Sequence, residues 1–142
     1  MAMLLHVSFR VKDPTRSAPL YTELLDGTRV DVPPLRALGV ITISFGDTKR
    51  HSVADAIELW PANLHVRDKV GGGGIERIEL DPSHHQPYGH LAVASEKSYE
   101  KLAAIAEKHG VEIVKADRGL PYLVPSVYDF DGNIIEFFPV EK

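Results

Sequence analysis

The stretch that decides the fold is the last hairpin of the chain, residues 124–139, with the sequence VPSVYDFDGNIIEFFP. Asp131-Gly132 is a strong turn signal, and it stands between two runs rich in β-branched and aromatic residues. In the second run, Glu136 is surrounded by isoleucine and phenylalanine. Because burying an isolated carboxylate is expensive, this charge must be paired or bound. The rest of the sequence must therefore supply a partner for Glu136.

The composition is typical of a soluble globular protein and excludes several classes of function. The 142 residues are 44% apolar and 25% charged, which predicts one domain over residues 1–142. A net charge of −4 argues against a nucleic-acid or membrane partner. The absence of cysteine excludes disulfides, thiolate catalysis and cysteine-ligated zinc. No signal peptide or membrane-length apolar window is present, so we expect a cytoplasmic location.

The first half of the chain predicts a strand, a helix and three more strands. Residues 3–11 alternate apolar and polar side chains, with His6 and Arg10 on the polar face. Asp13-Pro14 predicts the start of a helix that ends at Gly27. Three strands are predicted to follow, around Thr28–Val32, Val40–Phe45 and Val53–Trp60. We call this half, residues 3–61, module one.

The second half repeats this order. A strand at His90–Ala94 precedes a helix, for which Ser95 is the predicted N-cap and Gly110 the predicted C-terminal stop. Three strands are predicted near Glu112–Lys115, Tyr122–Tyr128 and Asn133–Phe138. We call this half, residues 89–140, module two.

Residues 62–88 between the modules are predicted to be a linker. The Gly71–Gly74 run and Asp81-Pro82 favour connecting segments over core, and only Ile75–Leu80 has the character of a short strand.

The two modules share special residues at matching places. A histidine heads the first strand of each (His6 and His90), and a glutamate precedes the proline that ends each (Glu58 and Glu136). Alternation places all four opposite the helix-packing side of their strands. If the half-sheets curve around one cleft, the four side chains converge there. Two imidazoles and two carboxylates suit a divalent transition metal such as Ni²⁺, Zn²⁺, Co²⁺, Fe²⁺ or Mn²⁺.

The paired βαβββ modules, these four residues and the run Asp129–Glu136 (DFDGNIIE) resemble the vicinal oxygen chelate superfamily. That superfamily includes glyoxalase I, methylmalonyl-CoA epimerase, extradiol dioxygenases, and the fosfomycin and bleomycin resistance proteins. The His-Glu-His-Glu set is similar to that of bacterial glyoxalase I. The resemblance implies an α+β fold, with two paired βαβββ modules forming a curved mixed sheet around a metal-binding cleft. It also implies Ni²⁺ or Zn²⁺, and a homodimer with its sites at the subunit interface.

The same resemblance implies a lyase or isomerase that moves a proton next to a carbonyl through an enediolate stabilised by the metal. Glu136 is the first candidate for the base, and Glu58 is the symmetric alternative. Arg10 would match an arginine that contacts glutathione, although a solvated or salt-bridged arginine explains it equally well. Trp60 is expected to face the cleft, where it would stack on substrate or fill space.

Some features of the sequence depart from glyoxalase I. The basic residue expected before the last hairpin is either Lys115 or Arg118, and the glutathione-binding asparagine has no secure counterpart. Two alternatives therefore stay open. One is an epimerase or lyase acting on another small oxygenated metabolite. The other is a non-catalytic protein of the same fold that binds a drug or metabolite, a function that does not require four intact ligands.

Overall fold

Module one folds as a four-stranded mixed sheet with one long helix. In this computed structural model, the residues described are 2, 4–47, 49–51, 53, 55–68, 75–79 and 89–141. The elements of module one are β1 (His6–Val11), α1 (Pro14–Leu25), β2 (Thr28–Val30), the short helix α2 (Pro33–Arg36), β3 (Ile41–Ser44) and β4 (Ala56–Pro61). The strand order is β1-β4-β3-β2, with β1 and β4 parallel and the other neighbours antiparallel.

The segment between the modules contains a hairpin that the sequence analysis did not predict as a whole. β5 (Leu64–Asp68) pairs antiparallel with β6 (Ile75–Glu79). The expected short strand is present as β6, whereas β5 was assigned to the linker. Leu64 and Val66 do alternate with polar residues, but this signal is short and stands close to the glycine run. The Gly71–Gly74 run and Asp81-Pro82 lie outside the described residues.

Module two repeats the architecture of module one. Its elements are β7 (His90–Ala94), α3 (Tyr99–His109), β8 (Ile113–Ala116), β9 (Val124–Tyr128) and β10 (Ile134–Phe138). The strand order β7-β10-β9-β8 matches that of the first sheet element for element, again with only the first pair parallel. The predicted α+β fold of two paired βαβββ modules is confirmed. No helix among the described residues has the length and apolar character needed to cross a membrane.

The two long helices begin and end where capping chemistry allows. Asp13 caps α1 by accepting hydrogen bonds from the backbone of Thr15 and Arg16, as expected. The predicted cap of α3 was wrong, because Ser98 and not Ser95 accepts the bond from the Lys101 amide. The Ser95 amide still donates to the Phe138 carbonyl, which holds Ser95 in the strand ladder. Gly110 ends α3 in the left-handed conformation, as predicted.

One hydrophobic core is shared by both modules. It collects side chains from one face of each sheet and from the long helices, including Phe9, Leu24, Ile57, Leu91, Leu102 and Ile135. Gly89, just before β7, lies so close to the Phe9 ring that an added Cβ would come within 2.5 Å of it. The modules are therefore packed together through the faces that carry the helices.

A buried polar cluster also joins the last hairpin to module one. Asp129 accepts hydrogen bonds from the Tyr21 hydroxyl at 2.7 Å and from the backbone amides of Asp131 and Asn133, both at 2.8 Å. The Asn133 side chain donates both to Asp129 and to the carbonyl oxygen of Arg10. The hairpin turn recognised in the sequence thus also connects the modules.

Candidate metal site

His6 and Glu58 form a pair on neighbouring parallel strands of module one. His6 stands opposite Ala56, so Glu58 is two residues further along β4. The His6 Nε2 atom is 3.5 Å from Glu58 Oε1. The glutamate is buried, whereas 46% of the histidine side chain is exposed. The imidazole therefore lies between the buried carboxylate and solvent.

His90 and Glu136 form the corresponding pair in module two. His90 stands opposite Ile134, so Glu136 is again two residues further along the parallel partner strand. The His90 Nε2 atom contacts Glu136 Oε1. Glu136 is buried, and 58% of the His90 side chain is exposed. The repeat inferred from sequence thus extends to strand register and to the atoms in contact.

Both pairs lie on the sheet faces that point away from the shared core. Ile57 and Leu59, which flank Glu58, are fully buried in that core. Ile135 and Phe137, which flank Glu136, are buried in it as well. Since neighbouring residues of a strand face opposite sides, both glutamates point outward from the core.

Within one chain, the four side chains form two separate pairs and not one cluster. Among the described residues, no three His, Asp or Glu side chains come close enough to share a metal ion. The sheets pack through their helix-bearing faces, so the faces with the histidines and glutamates point away from the common core. Imidazole nitrogen and carboxylate oxygen suit a divalent transition metal, but each pair supplies only two donors. One pair is half of the predicted donor set.

Among the described residues, Glu58 has two further partners, both of them neutral. The Ser8 hydroxyl, directly across from Glu58 on β1, donates to Glu58 Oε1 at 3.1 Å. The Trp60 indole N–H donates to the same oxygen at 3.0 Å. Sequence reasoning placed Trp60 beside the cleft but missed its bond to Glu58, and it assigned no role to Ser8. The alternation of apolar and polar residues in β1, which places Ser8 on the same face as His6, was the sequence signal that could have indicated this contact.

Glu136 has a charged partner instead. The Arg118 Nε–H donates to Glu136 Oε2 at 2.8 Å. Burial alone would raise the pKa of Glu136, but the hydrogen bonds from Arg118 and His90 outweigh it and hold the pKa below its ordinary value. Of the two basic residues considered from sequence, Arg118 therefore reaches the site. The Lys115 ammonium lies 4.3 Å from the centre of the Tyr99 ring.

Arg10 follows His6 and Ser8 on the polar face of β1. Its guanidinium donates to the carbonyl oxygen of Leu64, at the start of β5. Burial lowers the pKa of Arg10 from its usual value. The contact ties Arg10 to the hairpin between the modules, and the anion-binding role expected for Arg10 stays a prediction.

Comparison with known proteins identifies the family. The sequence model described as "Glyoxalase/Bleomycin resistance protein/Dioxygenase superfamily" matches residues 3–137, almost the whole chain. No curated protein matches the chain in sequence.

Solved structures with a similar fold come from several kinds of protein. The trypanothione-dependent glyoxalase I of Leishmania major is 24% identical, with a TM-score of 0.56 over 98% of this chain and 87% of that one. The fosfomycin resistance protein FosX of Mesorhizobium loti is 15% identical, with a TM-score of 0.60 over 99% and 94%. The protein VPC_CASS1, from the mobile metagenome of V. pseudocholerae, is 18% identical, with a TM-score of 0.61 over 100% of this chain and 97% of that one. At these identities the likeness shows the fold alone.

Proposed function

Because the chain belongs to the Glyoxalase/Bleomycin resistance protein/Dioxygenase superfamily, we propose that it is a metal-dependent lyase or isomerase of the glyoxalase I type. The observation that carries this proposal is the pair of His–Glu contacts, repeated with the same two-residue offset in both modules. A structural histidine has no reason to recur beside a buried glutamate at both repeat positions. A shared ligand explains the recurrence.

The metal would be held by His6, Glu58, His90 and Glu136. Ni²⁺ or Zn²⁺ is the first candidate, with Co²⁺, Mn²⁺ and Fe²⁺ as alternatives. When bound, such an ion supplies Lewis-acid stabilisation of negative charge on substrate oxygen.

A second copy of the chain would complete the site. Each chain presents two pairs that do not meet within it, so we propose a homodimer in which module one of one protomer faces module two of its partner. Closed two-fold symmetry then gives two identical sites, each with four protein ligands.

The protein's own residues would bind the substrate and move a proton. Glu136 or Glu58 would take the carbon-bound proton and return it to the neighbouring carbon; general base catalysis of this kind typically contributes roughly 10²–10⁴-fold. Trp60 would border the substrate while its N–H orients Glu58. For a glutathione hemithioacetal, Arg10 would bind a peptide carboxylate.

Metal content tests the proposal most directly. Protein purified without added metal should carry close to one Ni²⁺ or Zn²⁺ per chain by elemental analysis, and His90→Ala should lose it. His51→Ala is the control, because His51 lies exposed in the loop between β3 and β4 and should leave the metal content unchanged. Wild-type protein that contains no metal and resists loading would contradict the enzymatic proposal.

Turnover then separates glyoxalase I from its relatives. Metal-loaded protein should convert methylglyoxal plus glutathione to S-lactoylglutathione. Metal binding without this turnover would leave an epimerase or lyase acting on another small oxygenated metabolite. Because the fold is similar to that of the fosfomycin resistance protein FosX, a further alternative is a protein that modifies a drug or binds it without catalysing a reaction.

A further inference from the structure

The turn that precedes the last strand of each module faces the first strand of the other module, and in module two this contact is closed. The Asn133 side-chain amide donates to the carbonyl oxygen of Arg10 at 3.2 Å, and the Lys12 amide donates to the Asp131 side chain at 3.0 Å. The cavity that remains beside Lys12, Phe130 and Asp131 measures about 40 Å³. The last turn of module two is therefore closed against the end of β1.

The corresponding place in module one is open. Asp55 is the counterpart of Asn133, because each lies three residues before the buried glutamate of its module. Ala94 is the counterpart of Arg10, because each lies four residues after the histidine that heads the first strand of its module. Asp55 and Ala94 both line a cavity of about 580 Å³ between the modules. A closed contact in one half of the repeat thus corresponds to an open cavity in the other.

One sequence difference removes the side chain that would fill this space. Phe130 and Gly46 are counterparts, because each lies two residues beyond the end of the strand that pairs with the last strand of its module. The Arg16 guanidinium lies 4.0 Å from the centre of the Phe130 ring. Gly46 has no side chain, and a Cβ added there would collide with the Asp55 carboxylate. The space that an aromatic ring occupies in module two is therefore left open in module one.

A second difference removes a hydrogen-bond donor. The Asn133 amide donates both to Arg10 and to Asp129, whereas an ionised Asp55 carboxylate can only accept hydrogen bonds. Asp55 is half-buried, and none of the described residues donates to its carboxylate. The Ala94 carbonyl oxygen likewise receives no side-chain donor from the part of the chain that the structure describes. The open contact therefore holds acceptors without the N–H group that is present in the closed one.

The lining of the cavity indicates the kind of ligand that fits it. Its buried part is apolar and includes Leu24 and Leu91. Its exposed part carries the carboxylate of Glu96 and that of Asp26, whose charge is offset by an ion pair with Lys97. A volume of about 580 Å³ lies in the range of small-molecule sites, which are mostly apolar with a few polar groups. Carboxylate acceptors beside a buried apolar wall suit a cation with an apolar body.

We propose that the cavity between Asp55 and Ala94 binds a small molecule that carries a primary ammonium group on an apolar chain. The ammonium N–H groups take the place of the Asn133 amide and donate to the Asp55 carboxylate and to the Ala94 carbonyl oxygen. The apolar chain lies against Leu24 and Leu91. The cavity is lined by none of the four residues of the candidate metal site, so this inference does not depend on the proposed function.

Titration with n-hexylamine tests the proposal. The amine is protonated at pH 7 and should shift the ¹H–¹⁵N NMR signals of Leu25, Asp26, Phe45 and Glu96 in a saturable way, with a Kd of about 1 mM or tighter. Hexanoate has the same chain length and the opposite charge, and it should bind at least roughly tenfold more weakly. The absence of a saturable shift up to roughly 20 mM amine, or equal binding of hexanoate, overturns the proposal.

The variant Asp55→Asn supplies the donor that Asn133 provides in module two and removes the negative charge. Asparagine tolerates the left-handed backbone of Asp55, whose φ is 49°, so the variant should keep the fold. Its Kd for n-hexylamine should rise at least roughly tenfold. The matched control Asp47→Asn changes an exposed carboxylate in the same loop and should leave the Kd unchanged. Equal affinity of Asp55→Asn and wild-type protein for the amine overturns the proposal.

Glu96→Gln gives an independent measurement at an exposed position, where the change does not threaten folding. Loss of this charge should raise the Kd for n-hexylamine by roughly threefold at low ionic strength, and added salt should weaken binding to wild-type protein. An affinity that neither the variant nor the salt changes would mean that apolar contact alone holds the amine, which contradicts the role given to its ammonium group.

Discussion

Glu136 stands in an apolar strand, and the structure shows how its charge is balanced. His90 and Arg118 contact one carboxylate oxygen each. The histidine was found from sequence because it heads the strand of a repeat. Arg118 was one of two candidates, and only the path of the chain after β8 distinguished it from Lys115. The sequence repeat therefore predicts one partner of this buried carboxylate, His90, and only the tertiary structure identifies the other, Arg118.

At the residue scale, we expect Tyr21→Phe to weaken the hydrogen-bonded contact between the two modules. The Tyr21 hydroxyl donates to Asp129, a buried carboxylate, and its loss should cost about 1–3 kcal/mol of unfolding free energy. Urea unfolding at pH 7 measures the cost. The exposed Tyr122 is the control, since Tyr122→Phe should change the stability little.

The same tyrosine makes a prediction for alkaline pH. Burial, followed by the charge of Asp129, raises the pKa of Tyr21 well above its ordinary value of 10.0. Because the pKa of Tyr21 is raised in the folded state, the neutral Tyr21 hydroxyl stabilises the fold fully below pH 10. This stabilisation is lost as the pH rises through the pKa of Tyr21 in the folded state. Wild-type protein should therefore lose stability above pH 10 faster than Tyr21→Phe. Parallel losses in the two proteins would contradict this account.

At the scale of elements, strand pairing decides which side chains meet. His6 and Glu58 are far apart in sequence, and the parallel pairing of β1 with β4 brings them together. The same pairing of β7 with β10 joins His90 to Glu136. Alternation within each strand could be predicted from sequence, so the faces were predicted as well. The offset between strands depends on how they are joined, which no local pattern contains.

The start of α3 gives a test at this scale. Ser98→Ala removes the side chain that accepts the Lys101 amide and should cost about 0.5–2 kcal/mol. Ser95→Ala is the matched control, because the Ser95 hydroxyl accepts the Lys97 amide just before the helix and should cost less. Chemical denaturation of both variants makes the comparison. A larger cost for Ser95→Ala would move the helix start back to the position predicted from sequence.

At the scale of the whole molecule, the arrangement of the two pairs makes the oligomer part of the proposed site. One variant would lack the module-one pair (His6→Ala/Glu58→Ala), and the other would lack the module-two pair (His90→Ala/Glu136→Ala). Neither should hold metal alone. Co-expressed, they should form mixed dimers with one intact site, and random pairing should recover roughly a quarter of the wild-type metal content.

Elemental analysis of the co-expressed protein decides the matter. Recovery close to that fraction supports sites formed between protomers. No recovery from a pool shown to contain mixed dimers would mean that both pairs of a site belong to the same chain.

By itself the sequence determined the repeat, the two modules, the faces of their strands, and the four residues His6, Glu58, His90 and Glu136 as special positions. These features follow from local periodicity and from comparison of one half with the other. Tertiary structure decided that the four residues form two pairs on faces turned away from a shared core. It also decided that, in the part of the chain that the structure describes, Glu136 has an arginine partner and Glu58 has none. It also brought Ser8 and Trp60 to Glu58. Packing of one sheet on another, and the path of a loop such as the one after β8, depend on contacts distant in sequence, and no single segment encodes them.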